Sequence, residues 1–195
     1  MAKKESLFRL IITLSLISII AAVGLAGIYS ITKKPIEKAQ SSKKEIAIAN
    51  VLNNFQGELK EIKVLPETGS DSLIIYFAFT DKKLVGAAVE TYTDKAFSGR
   101  FDIMVGFDAE GEILGTEVLK MAETPGLGDK IDKSKDPFSL QFVGKNPANF
   151  RLHVTKDGGD VEAITAATIS SRAFCDAVER AYTAFMKAKK EIKYE

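Results

Sequence analysis

The chain has 195 residues with 27 basic against 26 acidic side chains, which suits one globular domain with an appendage and gives no electrostatic case for nucleic-acid binding. A single Cys excludes an internal disulfide, a CxxC redox pair and a Cys-ligated cluster, and a single His excludes multi-His metal sites. A redox role would therefore rest on an organic cofactor, with no resident metal.

Residues 1–9 form a short basic start containing Lys3, Lys4 and Arg9. From Leu10 to Thr32 no charged residue occurs. That run of about 23 residues is long enough to cross a hydrocarbon core of roughly 30 Å as a helix, and too long for the apolar core of a cleaved signal peptide. The expectation is an uncleaved transmembrane anchor over 10–32. Its orientation is not settled by charge. Lys33, Lys34, Lys38, Lys43 and Lys44 follow the span and would hold the soluble part inside, yet long domains translocate regardless of flanking charge.

Residues 33–60 read as a connecting helix. Pro35 either breaks off the membrane helix or sits in the first turn of the next. Ile48, Val51, Leu52 and Phe55 then repeat at helical spacing, and Gly57 is placed to stop the helix. Residues 61–195 read as the functional domain. Leu73 to Phe79 is short, apolar and rich in strand formers; Thr80 to Lys83 turns it, and Leu84 to Tyr92 pairs back. Arg100 to Asp108 alternates, with Phe101, Ile103, Val105 and Phe107 on one face. After a turn at Ala109-Glu110-Gly111, Ile113 to Leu119 returns, with Ile113 and Val118 on opposite faces. Leu140 to Val143 and Phe150 to Val154 add short apolar stretches, the latter read as a strand carrying His153. A helix starts near Ser170, and Ala173, Phe174, Ala177, Val178, Ala181, Phe185 and Ala188 make its apolar stripe, with Lys187 to Lys193 at its end. The fold class is α+β: an antiparallel sheet packed by helices, on one N-terminal transmembrane helix.

Two stretches stand out chemically. Glu123-Thr124-Pro125-Gly126-Leu127-Gly128-Asp129-Lys130 places Pro-Gly at the centre of a type II turn, and the bare backbone beyond it suits a flat ligand as well as a plain connection. Glu162-Ala163-Ile164-Thr165-Ala166-Ala167-Thr168-Ile169-Ser170-Ser171 crowds hydroxyls ahead of the last helix. These read as helix caps, or as a hydroxyl bearing a phosphate group where backbone donors and the helix dipole favour an anion. His153 and Cys175 read as structural residues, and Asp129, Asp132 and Asp136, alternating with Lys130, Lys133 and Lys135, as a solvated face.

Those two stretches resemble the signatures of the FMN-binding domain family. The second is similar to its flavinylation motif, Asp, two variable residues, then Ser/Thr-Gly-Ala-Thr, with Glu162 in place of Asp and Ala166 in place of Gly. The hairpin before them also fits, with its Ser98-Gly99 loop and Asp-x-x-Gly turn. Nearly the whole chain resembles the G subunits of Rnf electron-transport complexes, whose close relatives are the C subunits of sodium-pumping NADH:quinone reductases.

The resemblance implies FMN esterified through its phosphate to Thr168, with Thr165, Ala166 and Ala167 beside it. The isoalloxazine would lie against Glu123, Thr124, Gly126, Leu127 and Gly128. It implies a flavin transferase that uses FAD and Mg²⁺ for maturation, and partners among the membrane and iron–sulfur subunits of the complex. It also implies a single-pass location in the bacterial inner membrane, with the domain on the extracytoplasmic side. Function is then electron relay in an ion-translocating ferredoxin:NAD⁺ oxidoreductase, with little activity in the isolated chain. Alternatives are the equivalent subunit of the quinone reductase, a stand-alone extracytoplasmic FMN reductase, and an anchored scaffold that has lost flavin through Ala166.

Overall fold

The computed structural model describes residues 7–192, so Lys3, Lys4 and Lys193 lie outside the described residues. The chain divides into two compact units, with the division after Lys43. Helix α1 (Leu7–Val51) accounts for the described part of the first. It is long and apolar enough to cross a membrane, and Leu10, Ile17, Leu25 and Ile31 all face outward. The hydroxyls of Thr13, Ser30 and Thr32 donate to the carbonyls of Arg9, Ala26 and Ile28, one turn back. Their polar groups are thereby satisfied within the helix, as a lipid environment requires.

The break expected at Pro35 does not occur, since Pro35 lies inside α1. A proline forfeits one backbone bond and crowds the preceding turn, at about 3 kcal/mol. Its fixed φ is still helical, and the Lys, Glu, Ala and Gln residues that follow are strong helix formers. Nor does Gly57 end the helix. Asn53 and Asn54 take left-handed φ of 52° and 57°. Asn54 N–H donates to Ala49 O and Asn53 N–H to Asn50 O, the paired bonds of a Schellman cap with Asn in the role usual for Gly.

The second unit is built on one five-stranded antiparallel sheet in chain order: β1 (Glu58–Val64), β2 (Leu73–Thr80), β3 (Lys83–Ala96), β4 (Gly99–Asp108) and β5 (Ile113–Lys120). Asp81 and Lys82, both at positive φ, form the two-residue turn between β2 and β3. Strand β1 is missing from the sequence-based expectation. Its residues Glu58-Leu59-Lys60-Glu61 are all exposed, as on a charged edge strand, so no buried alternation marks it.

Period-two alternation divides the sheet's side chains between two cores. Ile75, Phe77, Val89, Phe101, Ile103, Val105 and Phe107 pack under the second long helix, α2 (Thr168–Glu191), whose Phe174, Val178 and Phe185 meet them. Ala78, Ala88 and Met104 point the other way, against Ala47, Val51 and Leu52 of the α1 end. The α2 stripe expected from Ala173 to Ala188 is buried throughout. Strand β5 departs from expectation. Pairing slips between Gly106 and Phe107 and between Asp102 and Ile103, so Leu114 and Leu119 are bulged out. A bulge inserts one residue and resets the alternation, which puts Ile113 and Val118 into the same core.

Beyond β5 the chain is mostly short 3₁₀ turns, at Gly128–Ile131, Pro137–Phe142 and Thr155–Asp157. The strand expected around His153 is reduced to one bridge, Val154 with Val161, and His153 itself is exposed. Arg180 of α2 pins the β1–β2 connection: its Nε donates to Thr68 O at 2.8 Å, its guanidinium lies over the Tyr92 ring, and Tyr92 OH accepts from Asp71 N–H.

Candidate cofactor-binding site

Three segments far apart in sequence enclose a cavity of about 300 Å³, at the lower end of the range of small-molecule sites. The two-residue turn between β3 and β4 contributes Phe97. The segment after β5 contributes Glu123, Thr124, Leu127 and Gly128, and the start of α2 contributes Ala166, Ala167, Thr168, Ile169 and Ser170.

The second segment adopts the turn its sequence demands. Leu127 N–H donates to Thr124 O at 3.1 Å across Pro125-Gly126, and Gly126 has φ of 77°. This is a type II turn. Gly128 is a matter of space: a Cβ there would stand 2.1 Å from Glu123 Oε2 and 2.6 Å from Ser170 Oγ.

The third segment opens α2 at Thr168, two residues earlier than expected. Ala167 is the N-cap and provides no side-chain cap. The first-turn bond closes only at Ser171, whose N–H donates to Ala167 O at 3.0 Å. The N–H groups of Thr168, Ile169 and Ser170 thus lack intrahelical acceptors, and the dipole adds positive potential at the same place. The Thr168 hydroxyl lines the cavity and makes no hydrogen bond among the described residues. Ala166 takes the left-handed φ of 62° that its position would give a glycine.

Ser170 and Ser171, expected as caps, have other roles. Ser171 Oγ accepts from Ile164 N–H at 2.9 Å and donates to Ala167 O at 3.0 Å, tying the preceding loop to the helix. Ser170 Oγ donates to Glu123 Oε2 at 2.5 Å, while Glu123 Oε1 accepts from Ser98 N–H at 2.8 Å. Glu123, only 7% exposed, therefore bridges all three segments.

Of the residues expected at the site, Glu123, Thr124, Leu127, Gly128, Ala166, Ala167 and Thr168 meet around this cavity. Thr165 does not; it lines a neighbouring cavity with Lys130, Gln141 and Glu162. Gly126 shapes the turn without forming cavity wall. Phe97, Ile169 and Ser170 escaped sequence reasoning. A signal for Phe97 existed, a bulky aromatic in a two-residue hairpin turn, and it is 68% exposed at the cavity mouth.

Other candidates fall away or change character. Cys175 is buried, and burial pushes its thiol up to about 12, which suits a packing residue. Asp129 is not on a solvated face: it is buried, and Lys135 Nζ at 2.6 Å holds its carboxyl below the usual range. That pair anchors the loop on the far side of Gly128. Asp136 caps the 3₁₀ turn after it through Phe138 N–H.

Comparison with known proteins adds two findings. Residues 97–183 match the FMN-binding domain family. Over 178 residues the chain is 35% identical to the G subunit of the ion-translocating oxidoreductase complex of Escherichia coli (strain K12), covering 87% of this chain and 86% of that one. It is 33% identical over 176 residues to the G subunit of the same complex in Haemophilus influenzae (strain PittEE), covering 87% and 85%. To the G subunit of the Shewanella oneidensis complex it is 38% identical over 125 residues, 63% of this chain and 59% of that one.

Proposed function

The chain belongs to the family of ion-translocating oxidoreductase complex G subunits, and on that basis we propose that it is a membrane-anchored flavoprotein subunit relaying electrons within such a complex. The observation that carries this reading is the cavity, which brings the unbonded Thr168 hydroxyl and the open first turn of α2 beside an apolar slot. The residues present suit FMN. Phe97, Leu127 and Ile169 offer apolar surface for a flat ring, the free N–H groups suit a phosphate, and Gly128 keeps the wall bare. When bound, the flavin supplies the electron chemistry; the protein supplies position and electrostatics.

Thr168 is the proposed attachment point. Its Oγ1 would take the FMN phosphoryl group of FAD as a phosphodiester, with AMP as the leaving group and the hydroxyl proton lost to solvent. A flavin transferase with Mg²⁺ performs that exchange. The α2 N-terminus then holds the remaining charge of the diester. Ala166 is compatible with this reading, since it already adopts the left-handed backbone that the motif position requires. Residues 10–32 of α1 anchor the chain once across the inner membrane, in contact with lipid, with the domain on the extracytoplasmic side. Its partners there are the other membrane and iron–sulfur subunits of the complex.

The test is in-gel flavin fluorescence and intact mass of the full chain, co-expressed with a flavin transferase. A fluorescent band after denaturation and a mass raised by one esterified FMN are expected, and both vanish in Thr168→Val while the protein stays folded. Wild-type chain without bound flavin rejects the redox reading. Fluorescence surviving in Thr168→Val rejects the attachment residue.

A further inference from the structure

Glu123 is the one charged residue among those lining the cavity; Phe97, Thr124, Leu127, Ala166, Ile169 and Ser170 are all uncharged. The other buried carboxylate among the domain's described residues, Asp129, and the half-buried Asp176 both have cationic partners. Asp129 pairs with Lys135, and Asp176 with Lys95 and Arg180. Among the described residues no Lys or Arg is in ion-pair contact with Glu123. Its two hydrogen-bond donors, Ser98 N–H and Ser170 O–H, are neutral.

That arrangement is costly unless it serves something. A carboxylate withdrawn from water needs compensation, and hydrogen bonds from neutral donors provide only part of it. Each carboxylate oxygen can accept two bonds, and each receives one here, so Glu123 keeps spare acceptor capacity in the cavity wall. Gly128 is the second observation. A side chain there would push into Glu123 Oε2 and Ser170 Oγ, so the glycine is what lets this dyad occupy the wall.

We propose that the uncompensated negative charge of Glu123, fixed in the wall of this cavity, lowers the reduction potential of the bound flavin. This rests on FMN occupying the same cavity. Reduction adds negative charge to the ring, and a fixed charge in an apolar, partly desolvated wall opposes it through a low effective dielectric. Ser170 modulates the effect, because its O–H withdraws charge from Oε2.

The experiment is a spectroelectrochemical titration of the full, flavin-loaded chain, with loading scored separately by in-gel fluorescence. Glu123→Gln, which keeps shape and removes charge, raises the midpoint. At the wild-type midpoint the oxidised-to-reduced ratio changes about tenfold, or about 59 mV for a one-electron couple. Ser170→Ala keeps the charge and removes a donor, so it shifts the midpoint in the opposite direction. Loaded Glu123→Gln with an unchanged or lowered midpoint overturns the inference and leaves the flavoprotein reading intact. Where Glu123→Gln fails to load, Ser170→Ala decides: an unchanged or raised midpoint overturns the inference. Wild-type chain without bound flavin overturns both.

Discussion

The carbonyl oxygen of Val51 sits so close to Gly106 that a Cβ at position 106 would lie 2.1 Å from it. Gly106 pairs with Gly115 across β4 and β5, and Val51 Cα also lies 3.5 Å from where a Gly115 Cβ would stand. The two glycines form a bare strip on the sheet, and the last turn of α1 rests on it. Gly106→Ala must push backbone off backbone, which costs about 1–3 kcal/mol as overpacking does elsewhere. The melting temperature of the full chain in detergent should fall by about 2–4 °C for each kcal/mol. An unchanged melting temperature would show that the α1 end does not pack as described.

Ala166 carries strain that its neighbours impose. A left-handed φ of 62° costs an alanine about 1–2 kcal/mol relative to its right-handed basin, a penalty glycine escapes. Ala166→Gly should therefore raise thermal stability by about 1 kcal/mol, after allowing for the entropy glycine adds to the unfolded chain. Flavin loading should persist. A variant less stable than wild type would mean that the Ala166 methyl makes a packing contribution larger than the strain.

Gly128→Ala probes the wall of the cavity. The added methyl meets Glu123 Oε2 and Ser170 Oγ, so the bridge joining the three site segments has to open. Covalent flavin occupancy, read by in-gel fluorescence at equal protein, should drop severalfold while helical content by circular dichroism is retained. Full occupancy would remove Gly128 from the site.

Asp176 ties α2 to β3. Burial alone would raise its pKa, but hydrogen bonds from Lys95 and Thr93 and the charge of Arg180 outweigh it and hold the carboxyl below its ordinary value of 3.8. A folded pKa below the unfolded one means that the unfolded state binds more protons in that interval, so stability rises with pH there. The contribution is fully present above pH 3.8 and is lost as pH falls through the lower folded value. Asp176→Asn should be less stable than wild type near neutrality, with the gap closing in acid. Urea unfolding at a series of pH values measures it, and a gap independent of pH would refute the assignment.

Much of the site was legible because its signals are local. Pro125-Gly126 can make few turns other than type II, and it makes that one. Thr168 stands where hydroxyls meet the start of an amphipathic pattern, and α2 begins there. What escaped depends on partners far away in sequence. Ser170 looked like a cap because nothing local reveals a carboxylate 47 positions earlier that accepts its hydroxyl proton. Phe97 belongs to the site because β3 and β4 carry their connecting turn to the same end of the sheet as the start of α2.

Local pattern was enough to specify the apolar span, the antiparallel hairpins and the buried stripe of α2. Each follows from periodicity or turn chemistry within about 20 residues. Strong local helix formers carried α1 through Pro35 and a local Schellman cap ended it at Asn53 and Asn54, while pairing with β4 set the bulges in β5 that turn Val118 inward. Long-range packing also put Glu123 in the wall beside Thr168, with no ion-pair partner among the described residues. Packing overrides propensities worth about a kcal/mol per residue, and a cavity exists only where separate segments converge.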